Sequence, residues 1–192
     1  MASRRPDFSH RGAQRRRGAA IVSTIVLMLF ARVADAQVAP EWAVKASFLY
    51  KFAPFVTWPA DAFGGSDGPF AICVVGDDPF GAVLDQAVMG QSIGGRPIVV
   101  RRMAKADRTA PCPVLYAGGG AAQVKETLQV VDGAPILTVT DGAGPTGVVD
   151  FVVEDGQVHF RLDDDAAARN GLVISSKLLG LAVSVNRRKA AP

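Results

Sequence analysis

Two cysteines, Cys73 and Cys112, His159, which is the one histidine beyond residues 1–36, and two glycine-containing turns are the residues whose types and spacing could support chemistry in this 192-residue chain. A zinc site would have to draw on Cys73, Cys112 and His159, yet no two of them stand as the close pair that zinc ligands usually form. Ser-x-x-Lys does not occur, and no serine-nucleophile constellation is expected. His159 falls on an expected hairpin strand, where a structural or exposed role is the default. The sequence therefore predicts no enzyme, no metal site and no cofactor.

The glycine turns are weaker anion cradles than their composition suggests. In Gly76-Asp77-Asp78-Pro79-Phe80-Gly81 the two carboxylates would repel a phosphate where backbone donors should attract it. An acidic residue directly before proline reads instead as the start of a helix. Gly118-Gly119-Gly120 precedes a helical segment, and Asp141 follows about twenty residues on, as in part of a dinucleotide fingerprint. Gln123 stands where the third glycine belongs, and Gly-x-x-x-x-Gly-Lys is absent, so a flexible crossover turn is the better reading.

The compartment decides what the thiols do. Residues 1–36 hold seven of the 21 Lys+Arg (Arg4, Arg5, Arg11, Arg15, Arg16, Arg17, Arg32) and two of the 18 Asp+Glu (Asp7, Asp35). The rest carries 14 basic and 16 acidic groups, a net −2, so the formal charge of +3 does not mark a nucleic-acid binder. An apolar content of 49% excludes disorder. Within the basic segment an apolar run over 18–30 leads to Ala34-Asp35-Ala36, predicting a secretory signal peptide over 1–36 cleaved after Ala36. The run falls short of the roughly 20 residues that span a bilayer, which makes an uncleaved anchor the lesser alternative. Residues 37–192 then form one exported domain, by a route left open. An even pair of cysteines in an oxidising compartment favours a Cys73–Cys112 disulfide worth about 3–4 kcal/mol, the alternative being two buried thiols. The bond needs neighbouring strands with Cα atoms within about 7 Å, and if strained it would act as a redox-sensitive latch.

The elements that must position these residues follow from periodicity. Val44, Phe48, Phe52, Phe55 and Val56 predict a helix over 41–56 that Pro54 bends or shortens and Trp58-Pro59 ends. Gly64-Gly65-Ser66-Asp67-Gly68-Pro69 predicts a linker into a strand over 70–75 buried on both faces. A helix to about Met89, a turn at Gly94-Gly95-Arg96-Pro97, strands over 98–103, 113–117 and 136–140, and a helix over 121–131 follow. This alternation predicts a single α/β domain, a mixed, mostly parallel Rossmann-like sheet flanked by helices. Asp155-Gly156 between 148–154 and 157–162 predicts a C-terminal hairpin forming an antiparallel edge. Residues 163–169 suit a short helix, and Ser175 or Ser176 caps the run over 177–182. Arg187-Arg188-Lys189 reads as a solvated end.

Four segments in order carry a resemblance: Val44-Lys45-Ala46-Ser47-Phe48-Leu49-Tyr50-Lys51-Phe52 with Trp58-Pro59; Ile72-Cys73-Val74-Val75-Gly76-Asp77-Asp78-Pro79-Phe80-Gly81; Ile136-Leu137-Thr138-Val139-Thr140-Asp141; and Ile174-Ser175-Ser176-Lys177-Leu178-Leu179-Gly180-Leu181-Ala182. Together the chain resembles the YfiR-type family of periplasmic proteins over nearly all of 41–186. It departs from the family's pattern at Pro54, at Gly118 to Gly120 and at Leu162-Asp163. The resemblance implies a periplasmic repressor without catalysis of its own. Such a protein holds down an inner-membrane diguanylate cyclase through its periplasmic sensor domain, keeping cyclic di-GMP and biofilm formation low. It also implies an outer-membrane lipoprotein that sequesters the repressor. Cys73 and Cys112 match one family cysteine pair; a second pair, near residues 143–151, has no cysteine here.

For such a role an apolar contact face is needed. Trp42, Phe48, Tyr50, Phe52, Phe55 and Trp58 are more aromatics than one core-facing stripe requires, which makes them candidates for partner contact, the alternative being that they pack on the sheet. The oligomeric state, a homodimer included, is open. The rival reading is a periplasmic sensor whose small ligand sits at the carboxyl ends of the parallel strands, near Gly76 and Asp141.

Overall fold

The first helix, α1 (Glu41–Lys51), stops where Pro54 dictates. Proline cannot donate back to the preceding turn, so the chain tightens into a 3₁₀ turn, Ala53–Phe55, before the two-residue strand β1 (Val56–Thr57). The structure is a computed structural model that describes residues 40–188 apart from 61, 64–67 and 143. The expected signal peptide over 1–36 with its cleavage after Ala36, most of the 64–69 linker, and Lys189 lie outside the described residues.

β2 (Phe70–Val75) is buried at every position. It is followed by α2 (Ala82–Val88), β3 (Ser92–Ile93), β4 (Arg96–Met103), β5 (Val114–Ala117), α3 (Ala121–Val131), β6 (Leu137–Asp141), β7 (Val149–Glu154) and β8 (Gln157–Asp163). α4 (Asp164–Arg169), β9 (Val173–Ile174), α5 (Ser176–Leu179) and β10 (Ser184–Asn186) complete the chain. The main sheet runs β10-β8-β7-β6-β5-β2-β4-β3, and β1 pairs β9 in a separate antiparallel ribbon. β4, β2, β5, β6 and β7 are parallel, as the strand–helix alternation predicts.

Two edges differ from expectation. The β7–β8 hairpin forms around Asp155 (φ 51°) and Gly156 (φ 72°), but β10 returns parallel to β8 and covers it, so the hairpin is interior. At the far edge Gly94 and Gly95 (φ 58° and 80°) close a second hairpin onto β3, a strand too short to show periodicity. The basic end is also not merely solvated: Arg188 donates from Nε and Nη2 to the buried Asp164, both at 2.9 Å. Ser175 caps α5, its hydroxyl accepting from the Leu178 amide, and the helix ends at Leu179, short of the expected run to 182.

Alternation along β2 divides the core. Phe70, Ile72 and Val74 join α1 and α2 on one face with Phe52, Leu84, Phe151, Phe160 and Leu178. Ala71, Cys73 and Val75 join Leu115, Val124, Val131 and Ile136 on the other, beneath α3. Each large side chain fully withdrawn from water contributes about 1.5–3 kcal/mol, which is what fixes both helical layers.

Candidate functional site

The aromatics of the first helix divide by environment. Phe52 is 2% exposed and stacks between Phe48, Phe151 and Phe160, with ring centroids 5.6, 6.0 and 5.1 Å away. Its candidacy as a contact residue is therefore corrected: it is a core residue, held inside by the ring cluster. Phe48 is half-buried against the same rings, and Trp58 is fixed by its indole N–H donating to the Pro113 carbonyl at 3.2 Å and its edge against Phe70. Trp42, 41% exposed, with the half-buried Tyr50 and Phe55, keeps a solvent-facing surface. Lys51 lies over the Tyr50 ring and Lys177 over the Phe55 ring, each at 5.9 Å, so each of these two aromatics has a cation beside it.

Lys45, which the periodicity places merely between apolar positions, is buried at 4% exposure. Its ammonium donates to Asp141 at 2.7 Å and also to Glu41. Burial alone would push the Lys45 ammonium down, but the two carboxylates outweigh it and hold it above the ordinary lysine value. A lysine amid apolar neighbours carries no local mark of its partner, which lies at the end of β6.

The turn after β2 does not start the helix as its Asp-Pro suggests. Asp78 accepts from the Phe80 and Gly81 amides at 2.8 and 3.1 Å, closing a tight turn that points Phe80 into the core against Tyr116. Gly81, at φ 49°, then leads into α2 at Ala82. Arg102, on β4, donates to Asp78 at 2.7 Å, to Asp85 at 2.7 Å and to the Gly81 carbonyl at 2.7 Å. Burial pushes Asp78 up, but Arg102 and the two amides hold its carboxyl below the ordinary range. Asp77 and Pro79 are exposed.

In an open parallel sheet ligands bind where strand order reverses, here between β2 and β5. That crevice is closed. Gly118 donates its N–H to the Val75 carbonyl at 2.9 Å, and a Cβ on Gly76 would stand 2.3 Å from the Gly118 carbonyl oxygen. The Gln123 side chain fills the space beside Gly76 and Gly119, so the residue that breaks the dinucleotide fingerprint also occupies its site. The concavity left beside Asp141, lined by Gly119, Ala121, Thr140 and Gly144, is about 80 Å³. The strand ends near Gly76 and Asp141 thus offer little room for the ligand of the rival reading.

Cys73, central in β2, and Cys112, just before the neighbouring β5, are joined in a disulfide with Cα atoms 5.8 Å apart. Both are buried beneath α3. His159 is half-buried on β8 opposite Val152. Among the described residues no group of three or more His, Cys, Asp or Glu gathers as a metal site would need, and no helix is long and apolar enough to cross a membrane. Gly64-Gly65-Ser66-Asp67-Gly68 does carry Gly-x-Ser-x-Gly spacing, against the expectation of no serine-nucleophile pattern. It enters a strand rather than turning from a strand into a helix, the context that exposes such a serine, and residues 64–67 lie outside the described residues.

Compared with known proteins, residues 42–183 match a family model described as YfiR/HmsC-like. The match takes in all but the first residue of α1, the closed turn after β2, both cysteines and α5. No curated protein matches the chain.

Proposed function

From the chain's membership, since it belongs to the YfiR/HmsC-like family, we propose that it is a periplasmic regulator that restrains an inner-membrane diguanylate cyclase. The family match over residues 42–183, nearly all of the α/β domain, carries this reading. The regulator binds the cyclase's periplasmic sensor domain and favours its inactive state, so that cyclic di-GMP and biofilm formation stay low. A binding partner shifts such an equilibrium only by its differential affinity, and a coupling of about 1–3 kcal/mol, or 5–150-fold, is enough.

Supporting this reading is a surface with the right chemistry. Trp42, Tyr50 and Phe55 are exposed or half-buried aromatics of the kind that anchor interfaces, the latter two with the cations of Lys51 and Lys177 over their rings. An outer-membrane lipoprotein that competes for the repressor is part of the same proposal.

The experiment is a gene deletion with and without the cyclase. Cyclic di-GMP rises in the deletion strain when the cyclase is present and does not change when it is absent. A deletion that leaves cyclic di-GMP unaltered beside an intact cyclase overturns the proposal.

A further inference from the structure

Four polar residues stand in one row across four strands. Thr140 on β6 is in register with Asp150 on β7, Asp150 with Arg161 on β8, and Arg161 with Ser184 on β10. Residues in register share a face, and the antiparallel pair Asp150 and Arg161 stands with Cβ atoms about 4.5–5.5 Å apart. The row borders a cavity of about 170 Å³, lined by Asp150, Arg161 and Ser184 with Thr146, Gly147 and Asn186.

Asp150 is 4% exposed, and one carboxylate oxygen accepts the Thr140 hydroxyl at 2.8 Å. Thr140 is itself set by the Gly147 amide, which donates to its oxygen at 3.0 Å. The second oxygen of Asp150 takes no hydrogen bond among the described residues. It is not sealed away either, since among the described residues no buried side-chain polar atom lacks a partner, and Asp150 is among the residues that line the cavity. Across from it, Arg161 is exposed and makes no hydrogen bond or ion pair among the described residues. Burial holds the Asp150 carboxyl above its ordinary range, with Thr140 and then Arg161 pulling the other way.

Asp150, buried, and Arg161, exposed, are opposite charges on neighbouring strands that form no ion pair with each other. A lone anion in this cavity would meet Asp150 and Asp163, and a lone cation bound there would leave Arg161 unmatched. A molecule carrying both charges a few bonds apart meets neither penalty. The space suits a small molecule: a cavity of about 150 Å³ accepts benzene, so about six or seven heavy atoms fit within this concavity, which is open to solvent on one side. We propose that this cavity binds a small zwitterion, an α-amino acid of about the size of alanine or serine, with its ammonium on Asp150 and its carboxylate on Arg161. The site lies away from the closed crevice at the strand carboxyl ends, and the inference stands independently of the regulatory reading.

The test titrates the purified protein with L-alanine and L-serine up to about 10 mM, with ethylammonium and acetate as half-ligands, following amide chemical shifts. The expected result is saturable shifts at Gly147, Asp150, Arg161, Ser184 and Asn186 with the amino acids and none with either half-ligand. Arg161→Gln, at an exposed position, keeps the melting curve and weakens binding by about tenfold or more, as loss of a charge-assisted contact requires. Asp150→Asn, which keeps the shape, does the same. No saturation by either amino acid, an undiminished affinity in Arg161→Gln, or equal binding of acetate overturns the proposal.

Discussion

Lys45 Nζ lies 2.7 Å from Asp141 Oδ2, a pair separated by 96 residues that ties the first helix to the carboxyl end of β6. The Lys45 side chain is 5% exposed and that of Asp141 25%, so the pair is neither a surface bridge nor a fully buried one. Replacing Lys45 by methionine keeps the stem and removes the charge, leaving Asp141 with partial access to water. The expected loss is about 1–3 kcal/mol of unfolding free energy, read by chemical denaturation. A variant as stable as the parent would show that the pair contributes nothing net.

Alkaline pH probes the same helix. The folded Lys45 titrates above its ordinary 10.5, so its contribution is fully present below that pH and is lost as pH rises through the folded value. Tyr116 acts with the same sign: burial, and then the carboxylates of Asp141, Asp78 and Asp77, hold its phenol above the ordinary 10.0. Stability therefore falls above about pH 10, and Lys45→Met and Tyr116→Phe each flatten part of that fall in a pH series of denaturation curves.

At the acid end the turn after β2 should respond. The Asp78 carboxyl and the Asp85 carboxyl, the latter chiefly through Arg102, titrate below the ordinary 3.8. Their contribution is present above that value and is lost as pH falls through the folded one. Arg102 is 40% exposed, so Arg102→Gln is expected to cost only about 1 kcal/mol at neutral pH and to flatten the loss below about pH 4.

Reduction tests the disulfide. Closing a loop with a sequence separation of 39 stabilises the folded state by about 4 kcal/mol in the chain-entropy model. A double Cys73→Ala, Cys112→Ala variant should lose most of that and become insensitive to reductant. A parent protein whose melting temperature does not move on reduction would contradict the assignment.

The closed crevice predicts an asymmetry between two glycines in one turn. A Cβ on Gly118 would stand 2.0 Å from the Asp77 carbonyl oxygen, whereas one on Gly120 meets nothing within 4 Å. Gly118→Ala must push backbone apart and is expected to cost about 2–3 kcal/mol, while Gly120→Ala costs a few tenths; paired thermal melts decide it.

Contact and core roles separate in the same way on the first helix. Trp42→Ala and Phe55→Ala are expected to leave the melting temperature within a few degrees and to raise cyclic di-GMP when the cyclase is present. Phe52→Ala removes a ring packed among three others and costs about 3–5 kcal/mol, read as a lowered denaturation midpoint. Signalling lost in Phe52→Ala alone, in proportion to its instability, would leave the aromatic face without a role.

What could be read from the sequence was local. The boundaries of β2 and α3, the Pro54 break and the Asp155-Gly156 hairpin come from backbone restrictions and apolar periods that a few residues carry among themselves. The cysteines were legible as a pair because they number two. Everything that joins distant segments was not. Which first-helix aromatic is core, what Lys45 binds, how Gly76 and Gly118 shut the crevice, and the row from Thr140 to Ser184 all depend on strand order and register. Those are settled only when crossovers bring residues a hundred positions apart onto one face, because burial, charge pairing and free space are properties of neighbours in space rather than along the chain.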